Sequence, residues 1–242
     1  MTDVEAAALQ SHPLYLPTPA VKEKLPQLEQ KGDVGILAAD QAYRAIKSAI
    51  LNLQYPPGSL IKDTRLMKTL QLGRTPIREA LKKLEVELLV VSRPRQGTYV
   101  SEISVSDFAQ QHPVHRQLTA LAVDLAVQRL TPRRIDVLRT LQQQLITVET
   151  VDMISLIHAV LRFHHQMARS SRNLYLSQML ERYCGYIQRI WLIAAPGMRS
   201  SDLFLDDYAE LVQLMGERDE TRAPQLMADH LDAVHQRILG YF

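Results

Sequence analysis

The sequence predicts a mainly α chain in which three short helices and one β-hairpin precede an all-α antiparallel bundle. Three observations predict it. Apolar residues recur at helical spacing along most of the 242 residues. Near residues 89–101 alone that period changes from 3.6 to 2. Positive charge gathers in the same early part of the chain: residues 33–103 carry 11 Lys or Arg against 7 Asp or Glu, a net +4, whereas residues 1–32 and 104–242 each carry a net −1. A basic segment of about 70 residues suits a partner with a phosphate backbone better than it suits an enzyme surface.

The elements follow in order. Residues 1–32, with Pro13, Pro17, Pro19 and Pro26 among charges, show no sustained period and form an N-terminal extension with no assigned role. From Ala38 to Leu53 the spacing of Tyr43, Ile46, Ile50 and Leu53 predicts a first helix, stopped by Tyr55-Pro56-Pro57-Gly58. A second, over 63–70, presents Leu66, Met67 and Leu70. A third, over 76–87, buries Ile77, Leu81 and Leu84, with Thr75 as its cap and Pro76 in its first turn. Leu89–Arg93 and Thr98–Ser101 then alternate around Pro94-Arg95-Gln96-Gly97, a hairpin with a basic tip. This order is that of a winged helix-turn-helix, residues 33–103. Residues 104–242 show no strand pattern and predict helices over 115–130, 132–149, 152–170, 173–194, 202–216 and 222–240, joined by short connections that favour an antiparallel bundle.

Several classes are excluded or weakened. No apolar run approaches the roughly 20 residues of a membrane span. The first ten residues carry acids where a signal peptide carries a basic region, so a cytoplasmic chain with no membrane partner is expected. The single cysteine, Cys184, has no CxxC partner or adjacent base and reads as a passive thiol.

The runs AYRAIKSAILNLQYPPGSLI, LQLGRTPIREALKKLEVELLVV and RPRQGTYV resemble the GntR family of bacterial regulators across residues 38–103. Gly73 departs from the family, which usually has serine or threonine there, and Leu88 stands where glycine is usual. The resemblance implies that Arg74 and Arg78 contact bases, or bases and phosphates, that Thr75 contacts a phosphate, and that Gln96-Gly97 forms a wing tip in the minor groove. Arg65 and Arg95 are candidates for backbone contacts. An arginine fork can bond guanine O6 and N7 together, and a recognition helix enters the major groove by its N-terminus. The competing reading is a solvated basic face with Arg78 paired to Glu79 or Glu85.

Phe163-His164, Asn173, Asp219 and His230-Leu231 resemble the FCD type of C-terminal domain, which defines the FadR branch, across residues 108–239. The α/β ligand-binding alternative needs strands that are missing. The aminotransferase-like branch needs a Schiff-base lysine, and the last lysine is Lys83. Many FCD domains hold a divalent metal with an aspartate and three histidines. The pattern falls here on Val160, His164, Tyr208 and His230, so two of the four ligands are replaced and only His164 and His230 remain as ligands of an incomplete site. The expectation is therefore no tightly held metal or other cofactor, with both histidines as hydrogen-bonded groups lining a cavity. His115 and Thr119 stand where an arginine and a glutamate are usual. Arg162, Arg189, His115 and Tyr183 are candidates to anchor a carboxylate effector, while His158 and His165 read as packing or surface residues. The function implied is an effector-responsive repressor that binds a palindromic DNA operator as a homodimer. The alternatives are a ligand-independent DNA-binding protein with a vestigial pocket and a metal-assisted hydrolase, for which the expected carboxylate is absent.

Overall fold

The computed structural model describes residues 34–149 and 152–242. They divide into two compact units, one ending at Ile103 and one spanning Ser104–Phe242. The N-terminal extension, residues 1–32, lies outside the described residues.

The first unit contains α1 (Val34–Leu51), β1 (Leu60–Ile61), α2 (Asp63–Leu70), α3 (Arg74–Val86), β2 (Val90–Arg93) and β3 (Gly97–Val100). On α1, Ala39, Ala42, Ile46 and Ile50 form one buried stripe that faces α3. The helix stops at Leu51 rather than at Leu53, because Leu53 turns left-handed at φ 57°. The Pro-Pro-Gly turn follows, with Ser59 N–H donating to Pro56 O at 3.0 Å and Gly58 at φ 74°. Glycine suits that position because an L side chain is strained at such a φ. β3 lies between β1 and β2, with Val90 opposite Val100, Arg93 opposite Gly97 and Leu60 opposite Tyr99. Two residues carry no period, which is why β1 is invisible in the sequence.

The end of α3 explains why glycine is usual at position 88. Leu88 has φ 60°; its N–H donates to Glu85 O and the Leu89 N–H donates to Leu84 O, both at 3.0 Å. This is the Schellman pattern, completed by burial of both Leu84 and Leu89. The left-handed residue of that motif is a leucine here, 79% exposed. A part-buried triad fastens the same helix end to α1. Lys47 Nζ lies 2.8 Å from Glu87 Oε2 and donates to the Tyr43 hydroxyl at 2.9 Å, and that hydroxyl donates to Glu87 Oε1 at 2.5 Å. Burial by itself lowers the Lys47 pKa, but its bonds to Glu87 and Tyr43 outweigh that and raise it, so Lys47 stays charged.

The second unit contains α4 (Val105–Arg129), α5 (Pro132–Glu149), α6 (Met153–Ser170), α7 (Leu174–Ala194), a 3-10 turn (Ser200–Leu203), α8 (Asp206–Glu217) and α9 (Arg222–Leu239). Ser104, Asp152 and Asn173 cap α4, α6 and α7 by accepting backbone N–H bonds at 2.9, 2.8 and 3.2 Å. α4 starts ten residues earlier than expected and runs through Pro113. Both Pro113 and Ala109, whose carbonyl loses its helical donor, are exposed, which leaves the missing bond open to solvent. The helix expected over 202–216 is instead broken at Phe204, which is left-handed at φ 46°. Among the described residues no helix is long and apolar enough to cross a membrane.

Leu88→Gly is expected to stabilise the chain by roughly 0.5–1 kcal/mol, since relief of a left-handed leucine exceeds the added entropy of an unfolded glycine. Urea unfolding of the two proteins measures it. A lower midpoint for the glycine variant would contradict this account of the motif.

Candidate nucleic-acid interface and buried polar site

In the first unit α3 is buried on one side by Ile77, Ala80, Leu81 and Leu84 and bare on the other. Arg74, Thr75 and Arg78 are exposed at its start, and Arg65 is exposed on α2. Thr75 is not the cap. The helix begins at Arg74, and Gly73 occupies the cap position with φ −69° and ψ 170° and no side-chain bond. Glycine costs only a few tenths of a kcal/mol there compared with serine. It leaves the N–H groups of Arg74 and Thr75 without a side-chain acceptor, at the positive end of the helix dipole. Arg78 pairs with neither Glu79 nor Glu85. Its Nε lies 3.5 Å from Asp63 Oδ2 on α2, a long and exposed contact that gives little hold. Glu85 accepts the Ser92 N–H at 2.8 Å instead.

The wing turn has Gln96 N–H donating to Arg93 O at 3.0 Å, with Pro94 second and Arg95 third at φ 61°, the requirements of a type II turn met with arginine in the glycine position. Arg95, Gln96 and Gly97 are all exposed. The sequence reading passed over Arg93, whose guanidinium sits 4.6 Å above the Tyr99 ring. The signal was present in the hairpin register, which puts positions 93 and 99 diagonally across one face.

The second unit has an unusually polar interior. His115, Thr119, His164, Gln188, Arg189, His230 and His235 are all buried. Three of the four positions aligned with the family's metal ligands come together. The Tyr208 hydroxyl lies 2.8 Å from His164 Nε2 and 3.0 Å from His230 Nε2, and His230 Nδ1 lies 2.8 Å from Asp207 Oδ2. Val160 is buried one helical turn before His164 and offers no donor atom. Burial holds the His164 pKa well below the ordinary imidazole value and raises the Tyr208 phenol well above its own. Among the described residues no three His, Cys, Asp or Glu side chains group to hold a metal. A phenol, two imidazoles and a valine do not fit a divalent cation. Asp207 was missed because only chain folding, and no spacing rule, brings it to His230.

A second cluster joins α4, α7 and α9. His112 Nε2 and Arg116 Nε meet the two oxygens of Asp232 at 2.7 and 2.8 Å, and His112 stacks on His235 at 3.9 Å between ring centroids. Beside it Gln111, His112, His115, Tyr183 and Tyr186 line a cleft with about 10 Å³ of free space, room for one water molecule. His115 and Tyr183 face one another there at 6.0 Å. Thr119, one turn beyond His115, is buried with its hydroxyl unbonded. Of the other anion candidates, Arg189 is buried on α7 and its charge bears on Tyr186, whereas Arg162 is half-buried on α6 and does not line the cleft. His158 is held at a pKa of about 4, chiefly by burial. Burial pushes the Cys184 thiol up to about 12, as befits an inert group.

A three-helix unit with a three-stranded wing, its α3 arginines displayed, and an all-helical unit with a polar core define a winged helix-turn-helix regulator. The chain belongs to the gntR family of bacterial regulatory proteins, whose model matches residues 38–100, and it carries an FCD domain, matched over residues 112–233. It is similar to the uncharacterized HTH-type transcriptional regulator YdhC of Bacillus subtilis, 23% identical over 79% of this chain and 87% of that protein. The HTH-type transcriptional repressor RspR of Escherichia coli is 20% identical over 82% of this chain and 87% of its own length. The fold matches that of E. coli McbR/YncC with a TM-score of 0.72 at 21% identity, covering 81% of this chain and 93% of that one. The protein is thus a DNA-binding transcriptional regulator and not an enzyme.

The polar core sets an acid limit on stability. Burial first, then the nearby His112 and His235, lowers the His115 pKa to about 3. The folded chain therefore refuses a proton that the unfolded chain accepts near pH 6.5, so stability is complete above that pH and falls as pH drops toward 3. The carboxylate of Asp152, held low by its bonds to Ser155, contributes to acid loss only below about pH 4. Between pH 6.5 and 5, His115→Gln is expected to make the fall shallower by about half a proton at the upper end and about one proton at the lower, roughly 0.7 rising to roughly 1.4 kcal/mol per pH unit. Urea unfolding across that range checks it, and an unchanged slope would show that His115 is not held neutral.

Proposed function

We propose that the protein is a repressor that binds a palindromic operator as a homodimer and loses or alters that binding when a small organic ligand, a carboxylate by first choice, enters the helical unit. The observation that carries the reading is the exposed start of α3 above its buried face. Arg74 and Arg78 are assigned to base edges, Thr75 to a phosphate, Arg65 and Arg95 to the backbone, and Gln96-Gly97 to the minor groove. Repression is supported by the likeness to RspR.

Dimerisation is supported by exposed apolar side chains on α4 and α7. Val114 and Leu121 of α4, and Leu174, Tyr175 and Met179 of α7, are exposed. The same two helices supply Ala122, Leu176 and Leu180 to a buried cluster with Ala168, against which the partly buried Leu118 and Leu125 pack. Exposed surface of this kind is more apolar than a solvated helix face needs to be. The ligand reading is supported by the cleft beside His115 and Tyr183, by the buried Thr119 hydroxyl and by the charge of Arg189 near Tyr186. The small free space of that cleft favours the second reading, a ligand-independent regulator with a vestigial pocket.

Leu121→Glu combined with Met179→Glu is expected to convert a dimer to a monomer in light scattering and to weaken operator binding on the order of 100-fold, because two half-sites are then bound independently. A wild-type monomer, or a variant that stays dimeric, would defeat the dimer reading. Small carboxylates titrated against the operator complex separate the two ligand readings. Release by at least one supports the effector; no change in operator affinity or melting temperature with any of them favours the ligand-independent regulator.

A further inference from the structure

The Tyr208 hydroxyl on α8 is the meeting point of two imidazoles from two other helices, His164 of α6 and His230 of α9. Each aims the same ring nitrogen, Nε2, at the one oxygen. A divalent cation shared by those nitrogens would have to lie about 2.1 Å from both, in space that the phenol already fills. The space bounded by Asp207, Tyr208, Leu211, Leu226, Met227 and His230 has no room for a water molecule, and Phe163 packs edge-on against the Tyr208 ring at 4.9 Å.

The Tyr208 hydroxyl has one proton to give, so it donates to one of the two Nε2 atoms and accepts from the other, while His230 Nδ1 meets Asp207 Oδ2. In either direction both Nε2 atoms are engaged by the phenol rather than turned to a common metal, and Val160 withholds the oxygen that a metal site would need.

We propose that the Tyr208 hydroxyl is a built-in replacement for a metal ion, cross-linking α6, α8 and α9 as a cation would and making the helical unit indifferent to divalent metal. A bound cation stabilises a domain by an amount that grows with the logarithm of its free concentration, and a covalently attached hydroxyl removes that dependence. Metal availability then has no route into the regulator through this site, and any effector is held by protein groups alone. The inference does not depend on the existence of an effector.

The experiment compares the full-length wild type, Tyr208→Phe, and Val160→Asp combined with Tyr208→His, each melted in EDTA and in excess zinc sulfate, with elemental analysis after dialysis. Wild type is expected to carry no stoichiometric metal and to melt within about 1 °C in the two conditions. Tyr208→Phe leaves two buried imidazoles unlinked and is expected to melt about 5–10 °C lower with no recovery in zinc. The double variant restores three imidazoles and a carboxylate and is expected to take up about one zinc per chain and melt higher in its presence. The proposal is overturned by a wild type that retains metal or melts lower in EDTA, or by Tyr208→Phe melting at the wild-type temperature. A folded double variant that takes up no zinc also counts against it, since something other than Tyr208 and Val160 would then exclude the ion. If the double variant does not fold, the wild-type and Tyr208→Phe measurements decide.

Discussion

The burial of one face of α3 is the constraint on which the DNA-binding unit depends. Ile77, Ala80, Leu81 and Leu84 leave the helix no freedom to roll, because turning any of them outward would expose apolar surface at roughly 1.5–3 kcal/mol per large side chain. Its far end is fixed a second time by the Lys47, Glu87 and Tyr43 triad, with side-chain exposures of only 5% at Lys47 and 17% at Glu87. A buried ion pair adds little net stability over well-packed apolar groups, yet removing one partner is costly, so the triad acts mainly to fix which way the helix ends. With the C-terminal end anchored and one face sealed, the N-terminal arginines are displayed by default. The missing side-chain cap at Gly73 belongs to the same arrangement, since it leaves the first N–H groups open toward an anion.

The helical unit solves a different problem, that of keeping imidazoles inside an apolar bundle. Burial favours the uncharged ring, and the protein accepts that form at His115 and His164 rather than supplying each with a counter-ion. Where a carboxylate is present, as with Asp207 at His230 or Asp232 at His112, it lies toward the rim and orients the ring. Directionally bonded rings specify one packing of α6, α8 and α9 more sharply than apolar side chains of the same size would, because each hydrogen bond fails if a helix shifts by an ångström.

Much of this was legible in the sequence, for identifiable reasons. Long periodic stretches such as 132–149 and 153–170 announce themselves, since the buried face repeats and the caps are polar. The hairpin was legible because its period differs from that of everything around it. The first ten residues of α4 were not legible, since Pro113 interrupts the helical bonding pattern and only its solvent exposure makes it tolerable inside a helix. The residue at 88 was noticed as a departure from the family pattern, but its cause, a left-handed backbone, is a property of φ and not of composition. The two histidines and the tyrosine were placed together by likeness to the FCD domain alone. Asp207 and Asp232 could not be found at all, because each meets its histidine across a helix pair rather than at a fixed spacing.

The most direct test of the α3 start as the DNA reader is competitive binding of wild type, Arg78→Ala and Arg95→Ala to a selected operator and to a scrambled duplex at two salt concentrations. The expected result is that Arg78→Ala loses about 1–3 kcal/mol on the operator and much less on the scrambled duplex. Arg95→Ala is expected to weaken both alike and to lower the salt slope by roughly one unit per phosphate contact removed. Equal losses on both duplexes for Arg78→Ala, or no loss from either substitution, would contradict the placement of the reading surface on α3 and its wing.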